Sequence, residues 1–131
     1  MNANNKQDSE KIGLSLPVNA AYVSAARLTA SSIANRLGFD IDEIEDIKAA
    51  VSEACTYVVK KAFGTKQSVF NIIFEPQKGK LNIMLSLDSI VEGDFEEMGL
   101  LMIKALMDEI SINSGESFEL CMRKIHKPGL F

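Results

Sequence analysis

Residues 40–64, DIDEIEDIKAAVSEACTYVVKKAFG, carry the clearest helix signal in the chain and decide its fold. Asp40 is a predicted N-cap, and Glu43 three residues later completes a capping box. Gly64 is expected to end the helix, because glycine readily adopts the left-handed conformation found after many helices. Between these ends, apolar residues recur at helical spacing along one stripe: Ile44, Ile47, Val51, Cys55, Val58 and Ala62.

The side of this predicted helix opposite the stripe carries Glu53, Tyr57 and Lys60, at about 100° of rotation per residue. Residues in such positions usually form a solvated face. The tyrosine weakens that interpretation slightly, since it places a large ring among them. A functional surface on this side of the helix therefore stays an open alternative.

Upstream of the long helix, the sequence predicts a short strand and another helix. Residues 12–16 alternate apolar with small residues and are followed by Pro17, which is typical of a strand that stops there. Asn19 can cap a helix that runs to about Leu37. Gly38 is expected to end that helix in the left-handed conformation.

Downstream of the long helix, two hairpins flank a third helix. Residues 69–74 and 81–87 are rich in β-branched, aromatic or alternating apolar residues and predict the first hairpin. Residues 94–109 predict a helix that is apolar nearly all round, so that it is either deeply buried or faces a partner. Residues 110–113 and 118–125 predict the last hairpin.

The predicted order of elements is therefore β-α-α-β-β-α-β-β. Hairpins of antiparallel strands beside segregated helices are typical of the α+β class. We predict a two-layer α/β sandwich in which three helices cover a mixed, mostly antiparallel sheet.

Composition indicates one ordinary globular domain. The 131 residues include 14 Lys plus Arg and 18 Asp plus Glu, a formal charge of −4, and we assign residues 12–127 to a single domain. Residues 1–11 are polar without periodicity and are expected to form a disordered tail. The acidic balance argues against direct nucleic-acid binding. With neither an apolar signal region nor a run of ~18–20 apolar residues, the chain is expected to be cytoplasmic and not to bind a membrane.

The cysteines and the histidine exclude several chemistries. Cys55 and Cys121 lie in apolar-patterned segments without CxxC spacing, which favours buried thiols over a redox pair. His126 is the only histidine. It lies near the C-terminus beside Lys127 and Pro128, which argues against a histidine metal cluster and a Ser-His-Asp triad, and we predict no metal-ligating residues.

The segment IEDIKAAVSEACT, residues 44–56, resembles the anti-sigma factor serine/threonine-protein kinases, whose ATPase superfamily also includes histidine kinases and Hsp90. Residues 21–29, AYVSAARLT, and residues 99–110, GLLMIKALMDEI, match the same family in order and spacing. The resemblance covers about residues 14–125, and the family's fold agrees with the predicted order of elements. It implies a homodimer that sequesters a sigma factor and phosphorylates a serine of a competing anti-anti-sigma protein.

The resemblance also implies a catalytic site on the long helix. In an E-x-x-x-N segment of the family, the glutamate polarises the attacking hydroxyl and the asparagine coordinates Mg²⁺, which prefers oxygen ligands. Glu53 matches the glutamate and is the implied catalytic residue. Tyr57 occupies the asparagine position, and its neutral phenol is a poor Mg²⁺ ligand.

Two further nucleotide-binding positions of the family are only partly kept. Asp88 best matches the aspartate of a D-x-G-x-G motif that accepts the adenine amino group, but both glycines are replaced. An aspartate at a strand end is more often a turn former. Gly99 stands where the glycine-rich lid leads into the third helix, but Glu96 and Glu97 precede it with charges that would repel a triphosphate.

Three hypotheses about function follow. The preferred one is a degenerate member of the family that keeps the fold and a partner surface but has weak or absent kinase activity. ATP and Mg²⁺ are expected as cofactors only if the site is still active. The second hypothesis is an active serine kinase of an anti-anti-sigma factor with Glu53 as general base. The third is a non-enzymatic interaction module unrelated to sigma factors.

Partner binding is implied by one exposed position and one candidate face. Arg27 lies in the first helix where family members carry an arginine that contacts partners, here a sigma factor, an anti-anti-sigma protein or both. The alternative for such an arginine is a solvated charge. Leu14, Leu16 and Tyr22 are candidates for the face of a homodimer, with simple core packing as their alternative.

Overall fold

The computed structural model describes residues 10–63, 65–88 and 98–129. Three helices and five strands alternate in the predicted order. The helices are α1 (Val23–Leu37), α2 (Ile41–Ala62) and α3 (Met98–Leu106), with a short 3₁₀ turn, Ala20–Tyr22, before α1. The strands are β1 (Ile12–Pro17), β2 (Val69–Gln77), β3 (Lys80–Leu87), β4 (Glu109–Ser114) and β5 (Phe118–Ile125).

The five strands form one sheet in the order β1-β2-β3-β5-β4. Every pairing between them is antiparallel, so the sheet is uniform where a mixed one was predicted. Each hairpin pairs its two strands antiparallel. The connection through α3 places β5, not β4, beside β3, and this pairing is antiparallel as well. The predicted α+β class and the two-layer sandwich are confirmed.

The helices cover one face of the sheet, where alternate strand residues form the core. Phe70, Ile72 and Phe74 of β2 are buried on this face, as are the alternating residues of β3 and β5. Leu16 is also buried and Leu14 packs against the same core. The alternative of core packing therefore holds for Leu16, and Leu14 is partly buried against the same core.

The predicted capping box at the start of α2 and the predicted C-cap of α1 are present. The Asp40 carboxylate accepts a hydrogen bond from the Glu43 N–H at 2.8 Å, and the Glu43 carboxylate accepts one from the Asp40 N–H at 2.9 Å. Gly38 ends α1 with φ +88°. Asn19 caps the 3₁₀ turn rather than α1 itself, and Gly64, predicted to end α2, lies outside the described residues.

Two element boundaries differ from prediction. Helix α3 ends at Leu106 rather than near residue 109, because the chain there turns into β4, in which Glu109 pairs with Arg123. Strand β2 continues to Gln77, three residues beyond its predicted end. The predicted start of α3 near residue 94 and residues 1–9 of the predicted tail lie outside the described residues.

The other face of the sheet, which we call the open face, carries the strand residues that alternate with the core. A shallow groove on it is lined by Ile73, Met84 and Cys121 among others. Among the described residues, all three helices lie on the opposite side of the sheet. None of these helices is long and apolar enough to span a bilayer.

Candidate functional site

Helices α2 and α3 meet at two of the predicted site residues. A Cβ atom placed on Gly99 would lie 3.1 Å from Glu53 Oε1, which is tighter than an ordinary van der Waals contact. The absence of a side chain at Gly99 therefore lets the backbone of α3 approach this carboxylate closely. Glu53 is half-buried between the two helices.

Tyr57, one turn further along α2, does not lie on a solvated face. Its side chain is only 3% exposed, and its ring centroid lies 6.2 Å from that of Phe118 on β5. The Lys61 Nζ lies 5.4 Å from the Tyr57 ring centroid, within the range of a cation–π interaction. The interpretation of this side of α2 as a solvated face is therefore wrong for Tyr57.

The physical reason is that α2 is packed on more than one side. Besides the predicted stripe, Ala50 and Ala54 are fully buried, and Tyr57 follows them at helical spacing. Contacts with α1, α3 and the sheet together bury a surface of α2 wider than a single stripe. The spacing of apolar residues along the sequence indicates the main stripe but not this second buried stripe.

The other two predicted site residues, Asp88 and Arg27, are exposed. Asp88 follows the last residue of β3, and residues 89–97, which join it to α3, lie outside the described residues. Its role toward a nucleotide stays a prediction. Arg27 is exposed on α1 beside Leu28, which is 64% exposed.

The described residues fit a Mg²⁺-nucleotide poorly. Mg²⁺ is bound by carboxylate, carbonyl and water oxygens, whereas the position of the family's asparagine ligand holds the buried aromatic ring of Tyr57. In the described ranges, no three residues of the His, Cys, Asp and Glu types are grouped so that they could hold a metal ion. We therefore derive no chemical step through a metal-bound nucleotide.

A polar cluster at the opposite end of α2 was not predicted from the sequence. Glu43 is only 8% exposed, and beyond its cap its carboxylate accepts two more hydrogen bonds. One comes from His126 Nδ1 at 2.7 Å and the other from the Lys127 N–H at 2.7 Å. The segment after β5 is thus tied to the first turn of α2 by residues more than eighty positions apart, which local patterns do not report.

A second part of this cluster joins β5 to α3. Lys124 is 8% exposed, and its ammonium donates to the Leu106 carbonyl at 2.6 Å and to Asp46 at 3.2 Å. A cation at the last carbonyls of a helix is favourable because the helix dipole is negative there. We call these contacts, together with those of Glu43, the C-terminal clasp.

Burial and hydrogen bonding shift several pKa values. Burial alone would raise the pKa of Glu43, but the hydrogen bonds from Lys127, Asp40 and His126 hold that pKa below its usual range. Burial raises the pKa of the Cys55 thiol to about 12 and also raises that of Cys121. Both cysteines are free thiols, and at neutral pH they are protonated and weakly nucleophilic.

The family model described as "Histidine kinase-like ATPase domain" matches residues 16–124. The chain belongs to this family. The match covers α1 to β5 and so includes the Glu53–Gly99 contact and most of the clasp. The predicted resemblance to serine/threonine-protein kinases is confirmed by curated relatives as well.

Relatives named "Serine-protein kinase RsbW" from Bacillus cereus and Bacillus thuringiensis are 35% identical to this chain over 136 aligned positions. The alignments cover 88% of this chain and 84% of each relative. This degree of identity over nearly the whole length places the chain within the RsbW branch of the histidine kinase-like ATPase family.

Two solved structures share the fold. One contains the RsbU and RsbW domains of a Mycobacterium tuberculosis protein, with a TM-score of 0.73 and 19% identity. It covers 94% of this chain, which spans about a third (34%) of that longer protein. The other is the SiaB–SiaC complex of Pseudomonas aeruginosa, with a TM-score of 0.65, 11% identity, and coverage of 94% of this chain and 92% of the matched one.

Proposed function

We propose that this protein is a cytoplasmic anti-sigma regulatory factor that exchanges between a sigma factor and an anti-anti-sigma protein. Residues 12–127 act as its single domain, and the protein works as a homodimer. The observation that carries the proposal is the 35% identity to RsbW serine-protein kinases over 88% of the chain, together with the retained fold. Partner switching of this kind requires the family's fold and a surface on it that binds the partners. Both depend on the whole domain, which the alignments cover.

We further propose that its kinase activity is weak or absent. Tyr57 packs in the core where the family has its Mg²⁺ ligand. Gly99 brings α3 to within contact distance of Glu53, the carboxylate that would have to face a phosphoryl group and its acceptor. A carboxylate already in contact with the neighbouring helix has less room to reach a third group.

Arg27 is the proposed partner-binding residue. It is exposed on α1, and the exposed side chain of Leu28 beside it adds apolar area to the same surface. A guanidinium forms two parallel hydrogen bonds with a carboxylate, so the partner is expected to present an acidic side chain to it. Tyr22, which is 46% exposed at the start of the same helix, extends this surface.

Partner capture tests the regulatory part of the proposal. Purified cognate sigma factor should bind the wild-type protein, and Arg27→Ala should weaken binding at least tenfold. Arg36→Ala is the matched control, because Arg36 is an exposed arginine in the last turn of the same helix. Equal loss in both variants, or no sigma-factor binding by the wild type, would contradict the proposal and favour an unrelated interaction module.

Titration calorimetry with ATP and Mg²⁺ tests the catalytic part. We expect no binding at micromolar nucleotide and no transfer of the γ-phosphate to a serine of the cognate anti-anti-sigma protein. Micromolar binding or phosphate transfer would overturn the degenerate site. The regulatory proposal would survive that result, because sigma-factor capture is measured separately.

An active serine kinase is the second candidate, and the retained Glu53 favours it. In that case the Glu53 carboxylate would accept the proton of the attacking serine hydroxyl as general base. Phosphate transfer that is lost in Glu53→Gln, with sigma-factor capture unchanged, would establish this alternative. Transfer that persists in Glu53→Gln would remove Glu53 from the mechanism.

A further inference from the structure

We infer that the corner of the domain where α1 begins and α2 ends binds an acidic segment of the sigma factor. We call this surface the basic corner, and it comprises Tyr22, Lys60, Phe63, Lys66 and Val69. The inference rests on the sigma-factor binding named under the proposed function. It assigns to that binding a second contact surface and the chemistry of the segment that the partner presents there.

Charge is distributed unevenly along the chain. Residues 11–39 and residues 54–74 together hold six of the 14 lysines and arginines and none of the 18 acidic residues. The six are Lys11, Arg27, Arg36, Lys60, Lys61 and Lys66. The other parts of the chain hold eight basic and 18 acidic residues, so the formal charge of −4 conceals one purely basic part and one strongly acidic part.

The fold places the two basic segments side by side. Pro17 is opposite Val69 in the pairing of β1 with β2, and the Val18 N–H donates to the Ser68 carbonyl at 2.9 Å. Helices α1 and α2 pack against each other and are joined only by residues 38–40, so the start of α1 lies beside the end of α2. The basic corner is therefore built from both segments.

Three large apolar or aromatic side chains are exposed at the basic corner. Tyr22 is 46% exposed, Phe63 88% and Val69 44%. A single exposed side chain of this kind is ordinary in a globular protein, whereas several at one place are typical of a contact surface. Among the residues that the structure describes, no large apolar side chain is more exposed than Phe63.

Hydrogen bonds fix the backbone that carries Phe63 and Lys66. The Thr65 N–H and hydroxyl both donate to the Ala62 carbonyl, at 2.9 Å and 2.6 Å. The Thr65 hydroxyl oxygen accepts a further hydrogen bond from the Gln67 N–H at 3.1 Å. A partner that binds here has less backbone to order, which lowers the entropic cost of association.

The lysines of this region differ in what accounts for them. A cation in the last turn of a helix is stabilised by the helix dipole, which accounts for Lys60 and Lys61. The Lys61 ammonium also lies over the Tyr57 ring. Lys66 lies beyond the helix, is exposed, and forms no ion pair with any residue in the described part of the chain. Its ammonium is therefore available to a carboxylate of a partner.

A protein segment with carboxylates beside an apolar side chain fits the basic corner better than a nucleic acid or a membrane. The carboxylates would contact the lysines, and the apolar side chain would contact the exposed Phe63 ring. The acidic remainder of the chain would repel a nucleic acid or an anionic membrane at longer range. Tyr22 also adjoins the helix that carries Arg27 and Leu28, so the basic corner extends the surface proposed for the sigma factor.

Biolayer interferometry with the purified cognate sigma factor tests the charged part. Lys66→Glu should weaken binding about tenfold, mainly through slower association, because charge complementarity acts chiefly on the rate of encounter. The loss should shrink as the salt concentration is raised, since salt screens exposed charges. Lys78→Glu is the matched control, because Lys78 is exposed in the turn after β2, at the opposite end of that strand. It should bind as tightly as the wild type.

Phe63→Ala tests the apolar part with the same measurement. It should weaken binding about tenfold, mainly through faster dissociation, and the loss should persist at high salt. Ile41→Ala is the matched control, because Ile41 is 78% exposed at the opposite end of α2. All four replaced side chains are exposed, so each variant should fold like the wild type, and thermal melting checks this.

The outcomes separate the basic corner from the regulatory function. Unchanged sigma-factor binding in Lys66→Glu and Phe63→Ala, or equal losses in their two controls, would overturn the basic corner and leave the regulatory function in place. A wild type that binds no sigma factor would overturn both. Binding of single-stranded DNA or of anionic lipid vesicles that is lost in Lys66→Glu would overturn a protein segment as the ligand.

Discussion

The two ends of helix α2 have been shaped by different demands. At its first turn, the buried Glu43 carboxylate is satisfied by three donors, two of them from the segment after β5. Near its other end, the buried ring of Tyr57 packs against Phe118. The first end is stabilised by polar contacts and the second by aromatic packing.

The difference shows two ways in which one helix is held in the domain. A buried polar group depends on its partners, because removing one of them leaves the others unsatisfied at a cost of about 1–3 kcal/mol. A buried aromatic ring depends instead on the apolar area that it removes from water.

The largest expected effect on stability comes from removing the Tyr57 ring at the packed end of α2. Tyr57→Ala should lower the free energy of unfolding by roughly 3–4 kcal/mol, because it removes a nearly buried ring and leaves a cavity. Urea unfolding followed by circular dichroism measures this change. Tyr57→Phe, which keeps the ring, should cost about 1 kcal/mol or less. A loss below about 1 kcal/mol in Tyr57→Ala would show that the ring adds little to the core.

Removing the Glu43 charge at the other end of α2 should have a smaller effect on the free energy of unfolding. That effect should depend on pH. Glu43→Gln removes the charge that three donors share and should cost about 1–3 kcal/mol at pH 7. Because the folded pKa of Glu43 lies below its ordinary value of 4.5, its contribution is present above that value and is lost as the pH falls through the folded pKa. The wild type should therefore lose its advantage over Glu43→Gln in acid.

Urea unfolding of both proteins from pH 7 to pH 3 measures this loss. Burial would raise the pKa of Asp108, but hydrogen bonds from Lys127 and the Ile125 N–H hold that pKa below its usual value. Both proteins therefore also lose the same stabilisation from Asp108 as the pH falls. Glu45→Gln is the control, since Glu45 is exposed and pairs with Lys48 on the helix surface. It should change stability by less than about 0.5 kcal/mol. A constant difference between wild type and Glu43→Gln at all pH values would contradict the assigned role of the carboxylate.

The smallest expected effect is at the contact between the two helices. Gly99→Ala gains about 1 kcal/mol of helix propensity, but its Cβ meets Glu53 Oε1 at 3.1 Å. Because that atom ends a flexible side chain, it can move, and the net change should lie within about 0.5 kcal/mol of zero. In a Glu53→Ala background the same substitution should become more stabilising. Thermal melting of the four proteins measures the coupling, and strict additivity would show that the close approach has no energetic consequence.

Much of the fold could be predicted from the chain because its signals are local. The capping box at Asp40, the helix end at Gly38 and the alternation of residues 118–125 each depend on neighbours a few positions away. One boundary error falls where pairing with a distant strand overrides the local pattern, between Glu109 and Arg123 at the end of α3. The candidate site was predicted in part, since Glu53 and Gly99 do meet.

What the sequence by itself determined was the kind of element at each position and the family to which their order belongs. Helical and strand periodicity, caps and turns are properties of consecutive residues, so the chain carries them without reference to distant parts. Only the tertiary structure decided that Tyr57 is core rather than surface and that His126 closes a clasp on Glu43. These two features depend on which distant segments pack together, and a one-dimensional pattern does not specify that.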